Sequence, residues 1–173
     1  VVMQQRFSQI ITDYLEVEPI EINSALVSAQ NRKRLYWTNI PNVTQPEDKG
    51  VKFSDKIAGF PARMVGRRLN AEGKRRDKDL WIPLKQCIEC REEDKSGCIT
   101  TVSKDTLRTD VFYKRESIAT AKFHYLLPNE LEWLQTLPLD YTQGVSTSKR
   151  GELIGNGWTV DVIAHILQGL KDV

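Results

Sequence analysis

The chain has 173 residues, 40% apolar and 28% charged, with 25 Lys and Arg against 23 Asp and Glu, a formal net charge of +2. That is the composition of an ordinary soluble globular protein of one domain, or of one and a half lobes of a larger one, long enough to bury a core. It excludes a low-complexity chain, no run approaches the roughly 20 apolar residues of a membrane span, and no secretory signal opens the chain.

Taken in order, Phe7, Ile10, Ile11 and Tyr14 recur at helical spacing, so Met3 to Leu15 is expected to be an amphipathic helix. Pro19 to Ile22 alternates and suits a strand. Asn23 to Arg34 is polar and then basic and reads as a loop, followed by a β-prone strand from Leu35 to Ile40 that Pro41 ends. Helix, strand, loop and strand in this order fit the trailing edge of an α/β sheet.

Between Asn42 and Phe123, Gly, Pro, Asn and charged residues interrupt short β-prone pieces such as Trp81–Leu84 and Cys98–Val102, with Phe53 to Ala58 the one helical candidate. This is expected to be a small, loop-rich, mixed insert. Regularity returns with a short helix after Pro128, a favoured early-helix residue, stopped by Pro138. Thr142 to Gly151 reads as a loop. Val160, Val162, Ile163, Ile166, Leu167 and Leu170 mark a closing helix with an apolar face.

The charge is uneven. From Arg63 to Lys78, seven basic residues stand against Glu72 and Asp77, a net of +5 in a near-neutral chain. A local basic segment points to an anionic partner met at one place, or to a loop kept solvated by charge. Cys87, Cys90 and Cys98 make an odd count without a secretory signal, which argues against a disulfide framework. Cys87-x-x-Cys90 resembles half of a zinc knuckle, but the second Cys-x-x-Cys is missing. Reduced thiols and no metal are the expectation.

Three blocks follow one another: Gln30-Asn31-Arg32-Lys33-Arg34-Leu35-Tyr36-Trp37; His124 to Tyr141, with Glu130, Leu134-Gln135 and Pro138; and Gly155-Asn156-Gly157-Trp158-Thr159-Val160 before the closing helix. Their order resembles the C-terminal half of the DNA cytosine carbon-5 methyltransferases. In that family a Gln-x-Arg-x-Arg block, a variable target-recognition region, a Leu-Gln-x-x-Pro-x-x-Tyr-like block and a Gly-Asn-Ser-Val-like block succeed one another. The Trp version of the last block is similar to the animal de novo enzymes and some phage enzymes. The second block departs more: His124 stands where many members have Arg, and is read as structural.

The resemblance implies an α/β fold: the C-terminal portion of an S-adenosylmethionine-dependent methyltransferase sheet, with a small mixed recognition lobe. Residues 1–41 would end the catalytic lobe, 42–123 form the target-recognition region, and 124–173 supply the recognition-lobe helix, the turn on the cofactor side and the closing helix. Arg34 would contact the O2 side of a flipped cytosine, with Gln30 and Arg32 bracing the loop. Arginine suits this work because its donors are fixed and its charge is permanent, and an extruded base must have its edges hydrogen-bonded. Asn156, Gly157 and Trp158 would close over S-adenosylmethionine. Arg63, Arg67, Arg68, Lys74, Arg75 and Arg76 would meet phosphates of double-stranded DNA, and Thr100 and Thr101 would lie beside the flipped base.

The family nucleophile is a Cys preceded by Pro, whereas the three cysteines here follow Gln86, Glu89 and Gly97. The Glu-Asn-Val block and the Gly-rich cofactor turn are also missing from these 173 residues. Methyl transfer to cytosine would need them from an N-terminal catalytic half, on another chain or in an uncut protein. A cytoplasmic setting in a bacterium or phage is the corresponding expectation, with restriction-modification, phage self-protection and a relic all left open as roles. A non-catalytic DNA-binding module or inactive remnant is the first alternative, and a zinc-stabilised binding protein using the three cysteines is the second.

Overall fold

The computed structural model describes residues 3–172, the side chains of the last two excepted. It is a mixed α/β arrangement containing a five-stranded antiparallel sheet. Helix α1 (Gln5–Leu15) leads into β1 (Ile20–Asn23), which pairs antiparallel with β2 (Lys33–Tyr36) in the register Ile20↔Tyr36 to Asn23↔Lys33. The second strand begins two residues before Leu35 because Lys33 and Arg34 extend the ladder to the end of β1.

A two-stranded ladder is marginal by itself in water. Here it is covered by α4 (Val160–Gln168), whose Val162 and Ile166 bury against Ile22 and Val27. On the open side of β1, the Gln45 side chain donates to the Glu21 carbonyl at 2.7 Å. Among the described residues, β2 has no strand on its other edge. Helix α1 is less covered than its periodicity implies. Phe7, Ile10 and Tyr14 are exposed, while Thr12 is buried and accepts a hydrogen bond from Trp37 Nε1 at 3.0 Å.

The larger sheet has the order β6-β4-β3-β5-β7, all neighbours antiparallel. Its centre is the long pair β3 (Phe60–Arg68) and β4 (Leu84–Cys90), flanked by β5 (Leu107–Thr109), β6 (Glu116–Ser117) and β7 (His124–Tyr125). The expectation of short, broken pieces is corrected here: the two longest strands of the protein lie in the insert. Trp81–Ile82 form turns ahead of β4, Cys98–Val102 is irregular, and Phe53–Asp55 is a single 3-10 turn. Alternation put Ala62, Met64 and Ile88 on the buried face with Leu107, while Arg63, Arg67 and Glu89 on the other face hid the apolar pattern in the sequence.

Helix α2 (Pro128–Leu134) forms as expected after Pro128, and the Glu130 carboxylate accepts from the Leu127 backbone N–H at 2.7 Å. Helix α3 (Thr147–Asn156) corrects the reading of Thr142 to Gly151 as a loop. Its Ser146 side chain accepts from the Lys149 N–H and caps it, while Gly151 and Gly155 inside it mask its propensity. A central apolar cluster joins Phe53, Ile57 and Ile99 to Ala29, Leu126, Leu134 and Ile154. Each such large side chain contributes about 1.5–3 kcal/mol on burial. The insert therefore shares its core with the segments before and after it. No helix of the described residues is long and apolar enough to cross a membrane.

Candidate functional site

A buried polar hub occupies the junction between the central cluster and the cluster beneath α4. Gln30 is fully buried at the start of the loop before β2. Its Nε2 donates to the Leu134 carbonyl and to Gln135 Oε1, both at 3.1 Å, and its Oε1 accepts from the Ile99 N–H at 2.8 Å. Gln135, also fully buried, donates to the Ile154 carbonyl at 2.9 Å and accepts from Thr159 Oγ1 at 2.8 Å. Thr159 in turn lies 2.8 Å from Ser24 Oγ. Buried amides and hydroxyls without partners would each cost about 1–3 kcal/mol, so such a network holds one arrangement of the loops it ties.

Arg32 is the charged member, 5% exposed. Its Nη1 donates to the Ile99 carbonyl at 2.8 Å and to Cys98 Sγ at 3.2 Å. Its Nη2 donates to the Gly157 carbonyl at 2.8 Å and the Gly155 carbonyl at 3.3 Å. Burial lowers its pKa from the ordinary arginine value, the Cys98 sulfur opposes this, and the charge of Arg34 adds to it. The planar fork of a guanidinium can reach both loops at once, which an ammonium cannot.

Arg34, two residues along, is half-buried. One guanidinium nitrogen donates to the Lys33 carbonyl at 2.8 Å and the other to the same Cys98 Sγ at 3.2 Å. The Cys98 thiol thus sits between two guanidiniums. From sequence, Cys98 is a candidate only as a ligand in the zinc alternative, not as a partner of these arginines.

The last block enters from the other side. Asn156 is the exposed final residue of α3, Gly157 its C-cap, and Trp158 an exposed ring before α4. The Gly155–Gly157 stretch is therefore a helix end running into a second helix, which corrects the expectation of a tight turn. Gly155 is required by space. A Cβ there would lie 2.5 Å from the Thr100 carbonyl oxygen and 2.6 Å from its carbon. Backbone-to-backbone contact thus brings Thr100 against the last turn of α3 at Gly155, while the Thr100 hydroxyl donates to Asp105 Oδ2 at 2.7 Å. Thr101 is exposed beside it. The structure brings together Gln30, Arg32, Arg34, Thr100, Thr101, Asn156 and Gly157, drawn from three separated stretches of chain.

Two cavities flank this junction. One of about 640 Å³ is mostly apolar, lined among others by Leu137, Tyr141, Leu153, Trp158, Val160 and Ile163. The other, of about 430 Å³, lies between the Thr100–Thr106 segment, α2 and the start of α3.

The basic segment is placed elsewhere, on β3 and the connection to β4, and much of its charge is spent internally. Arg67 donates to both oxygens of Glu89, at 2.9 and 2.7 Å, and Arg63 and Arg115 converge on the same carboxylate. Arg67 first, and then Arg115, hold the Glu89 pKa down at about 2 although burial opposes them. Arg75 pairs with Asp77 and Arg76 with Asp79. The Arg68 backbone N–H donates to Asp77 at 3.2 Å. A net of +5 in sequence is therefore a weaker field in space than an unpaired run would produce.

The zinc alternative fails on geometry. Cys87 pairs with Val65 and Cys90 with Ala62 on one strand, three positions apart, so their side chains project from opposite faces of the sheet. Among the described residues no group of three or more His, Cys, Asp and Glu is arranged to hold a metal ion. His124 lies on β7 with Nε2 3.4 Å from Asp110 Oδ2, away from the hub contacts. No known protein-family model matches the chain.

Proposed function

We propose that the chain is the C-terminal part of a DNA (cytosine-5-)-methyltransferase, carrying the recognition lobe and one wall of the active cleft. The observation that carries this reading is the Arg32 fork. By holding the Ile99 and Gly157 carbonyls, and by sharing the Cys98 sulfur with Arg34, it ties the Arg34 strand to the segment before Thr100 and to the end of α3 beside Asn156. In this reading Gln30 and Arg32 position the loop and touch no substrate. Arg34 has guanidinium donors beyond its contacts with Lys33 and Cys98, and these meet the carbonyl edge of an extruded cytosine.

The residues at the end of α3 fit a sulfonium donor. Asn156 offers an exposed amide, Trp158 an exposed aromatic face suited to a cation, and the neighbouring cavity apolar walls. S-adenosylmethionine supplies the methyl group when bound there. This chain's own residues bind and orient; the thiolate that attacks the base comes from polypeptide outside these 173 residues. The edge of β2 that pairs with no strand among the described residues, the exposed apolar side chains of α1 and the Trp158 cavity are each the kind of surface a catalytic lobe would cover.

The test is reconstitution. Mixed with a separately produced Pro-Cys-bearing half, the chain is expected to restore methyl incorporation from radiolabelled S-adenosylmethionine into DNA. Binding of duplex DNA without incorporation, with any such half, favours a non-catalytic DNA-binding module instead.

A further inference from the structure

The connection between β3 and β4 carries a feature that the reading above leaves unused. Leu80 and Trp81, consecutive large apolar residues, are 75% and 79% exposed. The other three tryptophans have roles within the chain: Trp37 donates to Thr12, Trp133 packs on the central cluster, and Trp158 lines a cavity. Trp81 is nevertheless held firmly. The Asp79 N–H donates to the Arg76 carbonyl at 2.9 Å and the Ile82 N–H to the Asp79 carbonyl at 3.0 Å, so two successive turns present it. The Arg76–Asp79 ion pair closes the first turn, and Pro83 stiffens the exit into β4.

The surroundings are cationic. Asp77 is engaged by Arg75 and by the Arg68 N–H, and Asp79 by Arg76. Lys74, Lys78 and Lys85 have no carboxylate within ion-pair distance among the described residues. An exposed aromatic ring on a connection that also carries these lysines complements a nucleic-acid duplex, whose phosphates attract the lysines and whose base steps accept an apolar wedge. An anionic bilayer fits less well. Besides Leu80 and Trp81 only Leu84 is a large exposed apolar side chain here, and Glu72, Asp77 and Asp79 in the same connection would be pressed toward the headgroups.

We infer that Trp81, with Leu80, is a wedge that stacks into duplex DNA at the edge of the recognised site, steered there by Lys74, Lys78 and Lys85. The inference rests on the DNA-facing reading above. Stacking is short-ranged and insensitive to salt, whereas each phosphate contact adds about 0.9 to the log–log salt slope, so the two contributions are separable.

The experiment is a salt series of equilibrium binding of the 173-residue chain to a fluorescent duplex of about two helical turns. Trp81→Ala is expected to weaken binding about tenfold at every salt concentration with the slope unchanged, and Trp81→Phe to recover most of the loss. The Lys74→Gln/Lys78→Gln/Lys85→Gln variant is expected to lower the slope by about 2 to 3. Wild-type affinity in Trp81→Ala, with the parent chain binding DNA, overturns the wedge and leaves the DNA-facing reading standing. Failure of the parent chain to bind any duplex overturns both. Cosedimentation with phosphatidylserine vesicles that Trp81→Ala abolishes, with DNA affinity unchanged, overturns the wedge in favour of a membrane contact. Because Trp81 is exposed, thermal melting of the variants is expected to match the parent.

Discussion

Arg32 and Gly157 are joined by a 2.8 Å hydrogen bond from guanidinium Nη2 to the backbone carbonyl, across a separation of 125 residues. The same side chain holds the Ile99 carbonyl at 2.8 Å. A single cation thereby unites the loop before β2, the irregular segment after β4 and the junction of α3 with α4.

Replacing Arg32 by Ala or by Lys is expected to lower stability by about 2–4 kcal/mol, since it strands buried carbonyls that a fork satisfies and a point charge cannot reach together. The midpoint of urea unfolding measures it. Arg34→Ala is expected to stay within about 1 kcal/mol of the parent, because that guanidinium is half-buried and braces little. In the reconstituted enzyme Arg34→Ala is expected to abolish methyl transfer. Near-normal turnover would remove Arg34 from the base-contacting role.

Gly155→Ala tests the contact between the last block and Thr100. The added Cβ meets backbone at 2.5 Å, and backbone cannot rotate away as a side chain would. A loss of about 1–3 kcal/mol is expected. An unchanged melting temperature would mean that α3 and the Thr100 segment separate freely.

Acid is expected to loosen the sheet through Glu89. Its folded pKa, about 2, lies below the ordinary 4.5 because Arg67 and Arg115 bind the carboxylate. A depressed carboxylate stabilises the fold above its unfolded pKa, and that stabilisation is lost as pH falls through the folded one. Between about pH 4.5 and pH 2 the parent should lose on the order of 2 kcal/mol that a Glu89→Gln variant, already weakened at neutral pH, does not. Urea titrations at stepped pH compare the two.

Glu132 supports the turn after α2. It is fully buried, which disfavours its charge, yet the Thr142 hydroxyl and Arg150 outweigh burial and keep its pKa below the ordinary value. Glu132→Leu leaves Arg150 and two backbone N–H groups of residues 140 and 142 without their acceptor. A loss of about 3–5 kcal/mol is expected by thermal or urea unfolding, with Arg150→Leu/Glu132→Leu recovering part of it.

Much of the site could be read as local pattern. The apolar spacing of α2 and α4, the alternation at Ile20–Ile22, and the Gln30, Arg32 and Arg34 block stand in the sequence because each is a short run whose period or composition is its own signal. The β3–β4 pair was hidden by Arg63, Arg67 and Glu89. Charged residues on the open face of a strand are neutral to its fold once they pair across it, but they erase alternation read one strand at a time. Helix α3 was hidden by two glycines, one of which is there to let Thr100 approach. Composition and spacing thus determined the helices at the two ends, the apolar stripes and the concentration of basic residues. Tertiary structure alone decided that Arg32 faces inward to two distant carbonyls, that Cys98 lies between two guanidiniums, that Cys87 and Cys90 point apart, and that most of the arginines of β3 are neutralised at home. Those outcomes depend on which surfaces meet, and partners far apart in the chain leave no periodic trace in it.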